Sequence, residues 1–488
     1  MAEVVVVGAG VGGLAAAIRL GAAGHHVTVF ERNEVPGGKL AMREREGFAF
    51  ETGPSLLTLP AVFQELFALA GSSMLDAVDL VRLDPMCRYR FPDGSTLDTR
   101  AGPEDTESAV NAWSPGSGRA WRSFHDRGLR TWTIAERTFF AGAMDSPLDM
   151  ARRLRSPADL VGIDGLRTLH RHAQRSFVDQ RLVQYVDRYA TYSGSSPYRA
   201  PATLACIPAI EQEFGAWYIR GGIGRLASAL ADAAARIGVE LRTGSDVISI
   251  NRRAGRVSGV RLADGEEAVA ADIVVADVDA HHLYQDLLPD SRRLRHLARA
   301  GRSSSGFVLL AAVEGRTEGL AHHNVSFPLD YRDEFQALLD ERRPVAEPAI
   351  YVSCSSLTDS EQAPVGCENW FVLVNAPSGG PTNWAVEGPR YRDHLLEVMA
   401  RRGWDLSGRL RFVETITPAD IERRYRTVGG AIYGTSSNGR AAAFLRPGNR
   451  GPLGGLYLVG GSSHPGGGLP LVALSARIVA DLIEQGAR

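Results

Sequence analysis

The residues whose types and spacing are most typical of a binding chemistry are glycines near the amino terminus. Gly8, Gly10 and Gly13 form a G-x-G-x-x-G pattern. In such a pattern the first glycine permits a tight turn, the second lets a ligand approach the backbone, and the third lets a helix pack closely. The free N–H groups at the start of that helix attract an anion. The pattern therefore predicts a phosphate-binding turn.

The elements around these glycines predict a strand–helix–strand unit. The run Glu3–Val7 is apolar and β-branched, as in a buried parallel strand. A helix is expected over Leu14–Ala23, followed by a second strand over Val27–Phe30. Glu31 stands 18 residues after the last glycine of the pattern, close to the spacing of an acid that accepts hydrogen bonds from a ribose. The unit predicts a dinucleotide site; the alternative is a glycine-rich turn without a ligand.

Composition and charge limit the class of protein. The 488 residues include 54 basic and 56 acidic side chains, and this balance gives no electrostatic reason to expect nucleic acid as a partner. The length admits two or three domains, or one large body of two interleaved domains. The four cysteines lack the spacing of zinc ligands, so we expect reduced thiols in a cytoplasmic protein. We expect neither a signal peptide nor a membrane span, since no apolar run approaches about 18 residues.

A second glycine pair follows the predicted second strand. The stretch Pro36–Lys39 reads Pro-Gly-Gly-Lys and would give another close backbone approach together with a positive charge. It resembles the second glycine motif of the FAD-binding oxidoreductases that include amine oxidases and carotenoid desaturases. The stretch Phe50–Ser55 resembles the turn beside the flavin in that superfamily, with Glu51 where aspartate is more common. An ordinary turn fits the composition of this stretch equally well.

The carboxyl-terminal end carries the other strong pattern. A predicted strand over Leu456–Gly460 leads into a glycine-rich loop and a helix predicted over Val472–Gln485. The stretch Tyr457–Leu469 closely resembles the signature of bacterial-type phytoene desaturases, and the resemblance covers essentially all 488 residues. On these motifs the chain is identified as a member of the carotenoid desaturases and their relatives.

The patterns and the resemblance together imply an α/β fold that is α+β overall. A Rossmann-type FAD-binding domain is expected from the discontinuous residues 1–85, 221–300 and 426–488. An interleaved substrate domain with a mixed sheet and helices, facing the membrane, is expected from residues 86–220 and 301–425. Residues 103–190 are predicted to be mainly helical, with an aromatic core or with part of the aromatic and basic face touching lipid.

The resemblance also implies non-covalent FAD. It assigns the pyrophosphate and ribose contacts to the two amino-terminal glycine motifs, the adenine contact to one backbone position, and the ribityl chain and isoalloxazine to the carboxyl-terminal loop and helix. The residues carried over as FAD contacts are Gly8, Gly10, Gly13, Glu31, Gly38 and Lys39. Pro54 and Ser55 are expected near the flavin ring, and Val247 at the adenine. Gly461, Leu469 and Val472 are expected near the ribityl chain and the isoalloxazine.

The implied reaction is dehydrogenation of C–C single bonds in a long apolar polyene or isoprenoid, with hydride transfer to the flavin and oxygen or a quinone as the electron acceptor. The implied location is cytoplasmic, with peripheral attachment to the inner face of the cell membrane left open. Substrate binding should rest on apolar burial, about 0.8 kcal/mol per CH₂. Glu213 and His464 are candidate bases for the removal of a proton. The favoured interpretation of Glu213 is an ordinary surface residue, and that of His464 is a histidine that only shapes the glycine-rich loop. No catalytic side chain is therefore assigned.

Several alternatives stay open. The chain could be a flavin oxidase that acts on an amine or a secondary metabolite, or a related carotenoid ketolase or isomerase. A prenyl-binding escort protein without working flavin is the non-enzymatic alternative, against which the intact glycine turn with Glu31 and Lys39 argues. The pair His322-His323 invites a metal interpretation, but adjacent histidines are expected on opposite sides of a strand, so no metal site is predicted.

Overall fold

The chain begins with the predicted strand–helix–strand unit. The computed structural model describes residues 1–263, 265, 268–439 and 442–486. Strand β1 spans Glu3–Val7, helix α1 spans Val11–Ala22 and strand β2 spans His26–Phe30. The helix begins three residues earlier than predicted, because the backbone N–H of Leu14 already donates to the carbonyl oxygen of Gly10 at 2.9 Å. Both predicted strands are confirmed.

Strand β1 is the centre of a five-stranded parallel sheet. Its four consecutive valines are buried, as expected where helices cover both faces of a sheet. It pairs with β2 on one side and with Ile273–Ala276 on the other. The strand order across the sheet is Leu456–Leu458, Ile273–Ala276, β1, β2 and Glu240–Arg242.

A seven-stranded mixed sheet forms the second large layer. Its central strands, Ser305–Glu314 and Cys367–Ala376, are buried along nearly their whole length and pair antiparallel over ten residue pairs. In spatial order its strands are Leu410–Ile416, Ser305–Glu314, Cys367–Ala376, Ile350–Ser353, His323–Ser326, Cys87–Arg90 and Thr96–Thr99.

The two sheets confirm the predicted mixed architecture. Segments of the parallel sheet alternate along the chain with segments of a part that contains the mixed sheet and helices. All five strands of the parallel sheet come from the segments assigned to FAD binding. The domain boundaries themselves stay a prediction. The remaining strands are Met42–Arg45 with Phe48–Glu51, Leu80–Arg82 with Trp217–Ile219, and Val247–Arg253 with Arg256–Leu262 and Val269–Ala270.

The helices lie mainly between and around these sheets, and the region 103–190 is mainly helical as predicted. No described helix combines the length and the apolar character that a membrane crossing requires. After α1 the α-helices are Ala61–Leu69, Met74–Ala77, Pro103–Trp113, Gly118–Thr138, Pro147–Arg153, Pro157–Ile163, Leu169–Ser176, Gln180–Asp187, Cys206–Phe214, Gly224–Arg236, Ala280–His282, Ser291–Ala300, Tyr331–Gln336, Trp384–Arg401, Pro418–Tyr425, Ala442–Leu445 and Leu469–Gly486.

Two local predictions differ from the structure. The sequence predicts a helix over Leu56–Ala70, but the helix begins only at Ala61, because Leu57 exchanges backbone hydrogen bonds with Trp217. The last helix begins at Leu469 and not at Val472, so the glycine loop before it is shorter than predicted. The hairpin expected at Asp264-Gly265 joins two strands that do pair antiparallel, although Asp264 lies outside the described residues.

Candidate functional site

The carboxyl ends of four parallel strands meet at one edge of the five-stranded sheet. Gly8 follows β1, Glu31 follows β2, Asp277 follows the strand Ile273–Ala276, and Gly460 lies two residues beyond Leu458. Ligands of open α/β sheets bind outside this edge, because the loops and helix N-termini converge there. This edge is therefore the candidate functional site.

At the first turn, the backbone conformation and the close contacts leave room for glycine but not for a residue with a Cβ atom. Gly8 has a φ of +99°, a conformation that residues with a side chain rarely adopt. A Cβ atom built on Gly13 would lie 2.0 Å from the carbonyl oxygen of Gly8. The helix can therefore start directly above the end of the strand, with its N-terminal N–H groups open to a ligand.

Glu31 lies beside this turn as the sequence predicts. It is 5% exposed, and its Oε2 accepts a hydrogen bond from the backbone N–H of Ala9 at 2.8 Å. Its Oε1 accepts the backbone N–H of Asn33 at 2.9 Å. A carboxylate has about four lone-pair sites, so acceptor capacity remains for a ribose hydroxyl.

The second glycine pair folds back onto the first motif. The backbone N–H of Gly37 donates to the carbonyl oxygen of Ala9 at 2.8 Å, and a Cβ on Gly38 would lie 3.3 Å from Cα of Gly10. The ammonium of Lys39 donates to the carbonyl oxygen of Ile432 at 2.6 Å. Burial lowers the pKa of Lys39, while nearby aspartates oppose that shift. The two motifs thus form one continuous surface of backbone and positive charge.

Asp277 was not identified from the sequence, yet it lies at the centre of this surface. Its Oδ2 accepts a hydrogen bond from the backbone N–H of Gly13 at 2.8 Å, near the N-terminus of α1. Cβ atoms built on Gly10, Gly12 and Gly460 would lie 2.5, 2.7 and 2.2 Å from its carboxylate oxygens. The glycines of both chain ends therefore leave room for this one carboxyl group.

The electrostatic setting of Asp277 favours its protonated form. Burial raises the pKa of Asp277 to about 7, and the carboxylate of Glu31 acts in the same direction. The N–H group of Gly13 and the ammonium of Lys39 oppose this shift. The carboxyl group at the anion-attracting end of α1 therefore takes up a proton more readily than an exposed aspartate does.

The carboxyl-terminal loop completes the same edge. A Cβ on Gly461 would lie 3.5 Å from Gly467 and 4.0 Å from the side chain of Val472. Leu469 starts the last helix and belongs to the same buried apolar cluster as Val11 and other residues of α1. The structure thus brings Gly461, Leu469 and Val472 to the amino-terminal motifs, while their contact with a flavin stays a prediction.

The remaining predicted cofactor residues flank this edge. A Cβ on Gly53 would lie 2.0 Å from the carbonyl oxygen of Lys39, which holds Pro54 and Ser55 close to the second glycine pair. Val247 is buried in an apolar cluster that contains side chains of β1 and β2. These positions agree with the expected order of flavin, pyrophosphate and adenine along the edge, and that order stays a prediction.

The two candidate bases occupy different environments. Glu213 is exposed on the helix Cys206–Phe214. His464 is buried with its ring 4.6 Å from that of Phe139, and burial lowers its pKa to about 4. The sequence analysis missed Glu211, which is buried on the same helix and has a pKa raised to about 7 by burial. No catalytic side chain is assigned.

The expected geometry of His322 and His323 is wrong. Both side chains are buried, and their ring centroids lie only 4.4 Å apart in an edge-to-face contact. The strand begins at His323, so His322 lies in the preceding loop and does not follow strand alternation. Among the residues that the structure describes, no three His, Cys, Asp or Glu side chains are grouped as a metal would require.

A surface cavity of about 690 Å³ lies elsewhere, beside the strands Cys87–Arg90 and Thr96–Thr99. Its lining includes Arg88, Asp98 and Trp113 but none of the predicted cofactor residues. It is therefore separate from the candidate functional site.

Comparison with known proteins points to flavin enzymes. The sequence profile described as flavin-containing amine oxidoreductase matches residues 11–484. The chain is 35% identical to a 4,4'-diapolycopene oxygenase of a Methylomonas species, over 99% of this chain and 98% of that protein. It is 33% identical to a 1-hydroxycarotenoid 3,4-desaturase of a Flavobacterium species, over 99% of both chains.

Solved structures share the fold at lower identity. The structure of putrescine oxidase bound to putrescine has a TM-score of 0.64 at 15% identity, covering 99% of both chains. An oxidoreductase from Methanosarcina mazei has a TM-score of 0.63 at 18% identity, also over 99% of both chains. These likenesses establish the fold alone.

The residues at the sheet edge fit FAD. The glycine turn leaves backbone N–H groups open for a diphosphate, Glu31 keeps acceptor capacity for a ribose, and Lys39 provides a buried positive charge. Asp277 would lie next to that diphosphate, because its carboxyl group accepts the backbone N–H of Gly13 near the N-terminus of α1.

Replacing Asp277 by Asn should remove a pH dependence of FAD binding. The wild-type carboxyl group becomes charged as the pH rises through about 7, and a neighbouring diphosphate favours its protonated form. The dissociation constant of FAD should therefore rise between about pH 6 and about pH 8.5, at most roughly tenfold per pH unit. Asn is neutral throughout, so the variant should bind FAD more tightly at the higher pH. Quenching of FAD fluorescence by the apoprotein measures this.

The matched control is Asp272→Asn, since Asp272 lies just before the same strand and accepts the backbone N–H of Glu3 at an exposed position. This control should keep the wild-type pH dependence. An Asp277→Asn variant with the wild-type slope would contradict the assigned position of the diphosphate.

Proposed function

Because this chain belongs to the flavin-containing amine oxidoreductase family, we propose that it uses FAD to introduce C=C bonds into a long carotenoid-like polyene. The observation that carries the proposal is the extent of the similarity to carotenoid-modifying enzymes. It covers 99% of this chain at 33 and 35% identity and therefore includes the residues on the substrate side. The likeness to putrescine oxidase, at 15% identity, supports the fold and not an amine substrate.

FAD, when bound, accepts the hydride removed from the substrate. The chain must bury an apolar molecule beside it and exclude water. A buried cluster rich in aromatic side chains, which includes Tyr185, Tyr189 and Phe327, supports this role. Tyr351 packs against the cluster, and its hydroxyl lies 2.6 Å from Oγ of Ser55, the residue predicted near the flavin ring. The apolar region thus extends to the residue predicted beside the flavin.

Oxygenation of a carotenoid is the second candidate. The similarity to the 4,4'-diapolycopene oxygenase is as extensive as that to the desaturase, and the identity is slightly higher. Both reactions need the same FAD site and an apolar substrate. They differ in the product and in the need for oxygen, so the product distinguishes them.

Product analysis with the purified flavoprotein tests the function. We expect an acyclic polyene to lose two hydrogens per step and its absorption to shift to longer wavelength, because each new double bond extends the conjugation. The reaction should proceed with a quinone in the absence of oxygen or with oxygen itself, which we propose as the electron acceptors. Product that gains an oxygen atom would favour the second candidate. Turnover of amines without any change in the polyene would contradict both, and the apoprotein serves as the control.

We also propose that the protein is cytoplasmic and attaches peripherally to the membrane that holds its substrate. The helices Pro147–Arg153 and Pro157–Ile163, with the turn that follows, expose Leu148, Leu160, Val161 and Leu166 at 54 to 80% of their surface. The same segment carries Arg152, Arg153, Arg155 and Arg167, together with Asp149, Asp159 and Asp164. Exposed apolar residues with basic neighbours are typical of a helix that lies in a membrane interface.

Replacing Leu160 and Val161 by Glu should weaken binding to lipid vesicles. Each apolar side chain that enters a membrane contributes about 1.5–3 kcal/mol, so the double substitution should lower the partition coefficient more than tenfold. Co-sedimentation with vesicles that contain anionic lipid measures this. Val365→Glu is the control, since Val365 is fully exposed elsewhere and should not matter. An equal loss in the control, or no vesicle binding by the wild type, would contradict the assigned surface.

A further inference from the structure

Arg188 differs from the other buried arginines of the described chain. Three arginines are buried there, and each is 8% exposed. Arg19 pairs with Glu65 at 3.0 Å, and Arg446 donates to three backbone carbonyl oxygens. The guanidinium of Arg188 makes one hydrogen bond within the described chain, from Nη1 to Oγ1 of Thr191 at 3.1 Å, and no described carboxylate lies within 4.0 Å of it. Its Nε and Nη2 have no hydrogen-bond partner within the described chain and keep a small accessible surface.

The buried charge of Arg188 is poorly compensated by the protein. An arginine keeps its proton inside proteins, and leaving such a charge unpaired in the interior is strongly unfavourable. The carboxyl groups of Glu211 and Glu334 act on it electrostatically. Burial raises the pKa of each to about 7, and neither carboxyl group lies within 4.0 Å of the guanidinium. Glu211 instead accepts the hydroxyl of Tyr189 at 2.8 Å.

Arg188 lies where the aromatic region meets the predicted flavin side. Its guanidinium carbon is 5.7 Å from the centre of the Tyr351 ring, and the Tyr351 hydroxyl lies 2.6 Å from Oγ of Ser55. Arg188 also acts electrostatically on Tyr433, whose ring would lie 2.5 Å from a Cβ on Gly467. Ser55 and the loop around Gly467 are elements that the sequence predicts beside the flavin. A substrate group at Arg188 would thus lie near the reacting end of the polyene.

We infer that Arg188 binds an oxygen atom, of a hydroxyl or carbonyl group, on the end of the polyene that lies at the flavin. This inference rests on the proposed function, because it takes the substrate to be a polyene. The planar guanidinium offers several N–H donors in one fork, and an oxygen acceptor satisfies them where a hydrocarbon end leaves them unpaired. The protein therefore selects polyenes that have already been oxygenated at one end, and an oxygen-introducing reaction must supply its substrate.

The test uses two polyenes with the same carbon skeleton, a hydrocarbon and its terminal alcohol. The wild-type flavoprotein should favour the alcohol in kcat/KM by roughly 10- to 100-fold, the range expected for a hydrogen bond to a charged group. Arg188→Met keeps the apolar bulk and removes the donors, so the ratio should fall to about one through a loss with the alcohol. If this variant does not retain FAD, Arg188→Leu, which also lacks donors, should show the same fall. The control Tyr391→Phe removes a buried hydroxyl from a different apolar cluster, leaves the guanidinium intact and should keep the preference.

Binding is measured separately from turnover, by the shift of the polyene absorption band on addition of protein. Turnover of both polyenes without preference, or a preference that survives in Arg188→Met and Arg188→Leu, would overturn the inference and leave the proposed function standing. Preferential binding of the alcohol that requires Arg188, without turnover of either polyene, would support the inference and contradict the proposed function. Absence of binding for both polyenes would contradict both.

Discussion

The contact between residue 13 and the carbonyl oxygen of Gly8 fixes the geometry on which the rest of the structure depends. A Cβ at Gly13 would lie only 2.0 Å from that oxygen, so glycine alone lets α1 begin directly above the end of β1. The helix N-terminus, Glu31 and Asp277 then converge at one edge of the sheet. The strands Ile273–Ala276 and Leu456–Leu458 bring Asp277 and the final glycine loop to that same edge.

Much of this arrangement could be predicted because its information is local in the sequence. The strand, the glycine turn, the helix and the acid of the first unit lie within about thirty residues, and each follows from residue type and spacing. The resemblance of the carboxyl-terminal motif placed the second glycine loop at the same cofactor. The family comparison confirms the cofactor and the enzyme class.

What could not be predicted depends on contacts between distant residues. Asp277 meets Gly13 across 264 positions of the chain, and nothing in its own neighbourhood marks it as part of the site. Leu57 is not helical because it pairs with Trp217, although its segment has helical character. Arg188 is an ordinary arginine in the sequence, and only its burial with a single hydrogen bond and no carboxylate partner distinguishes it. Charge compensation is a property of the folded molecule.

We expect the glycine motifs near both ends of the chain to bind one and the same FAD. Amide hydrogen exchange of the apoprotein and the FAD-loaded protein tests this most directly, because bound cofactor slows exchange where it contacts or orders the backbone. We expect FAD to protect residues 8–14 and residues 460–472 together, at the same FAD concentration. Protection of only one of these two segments would contradict the account.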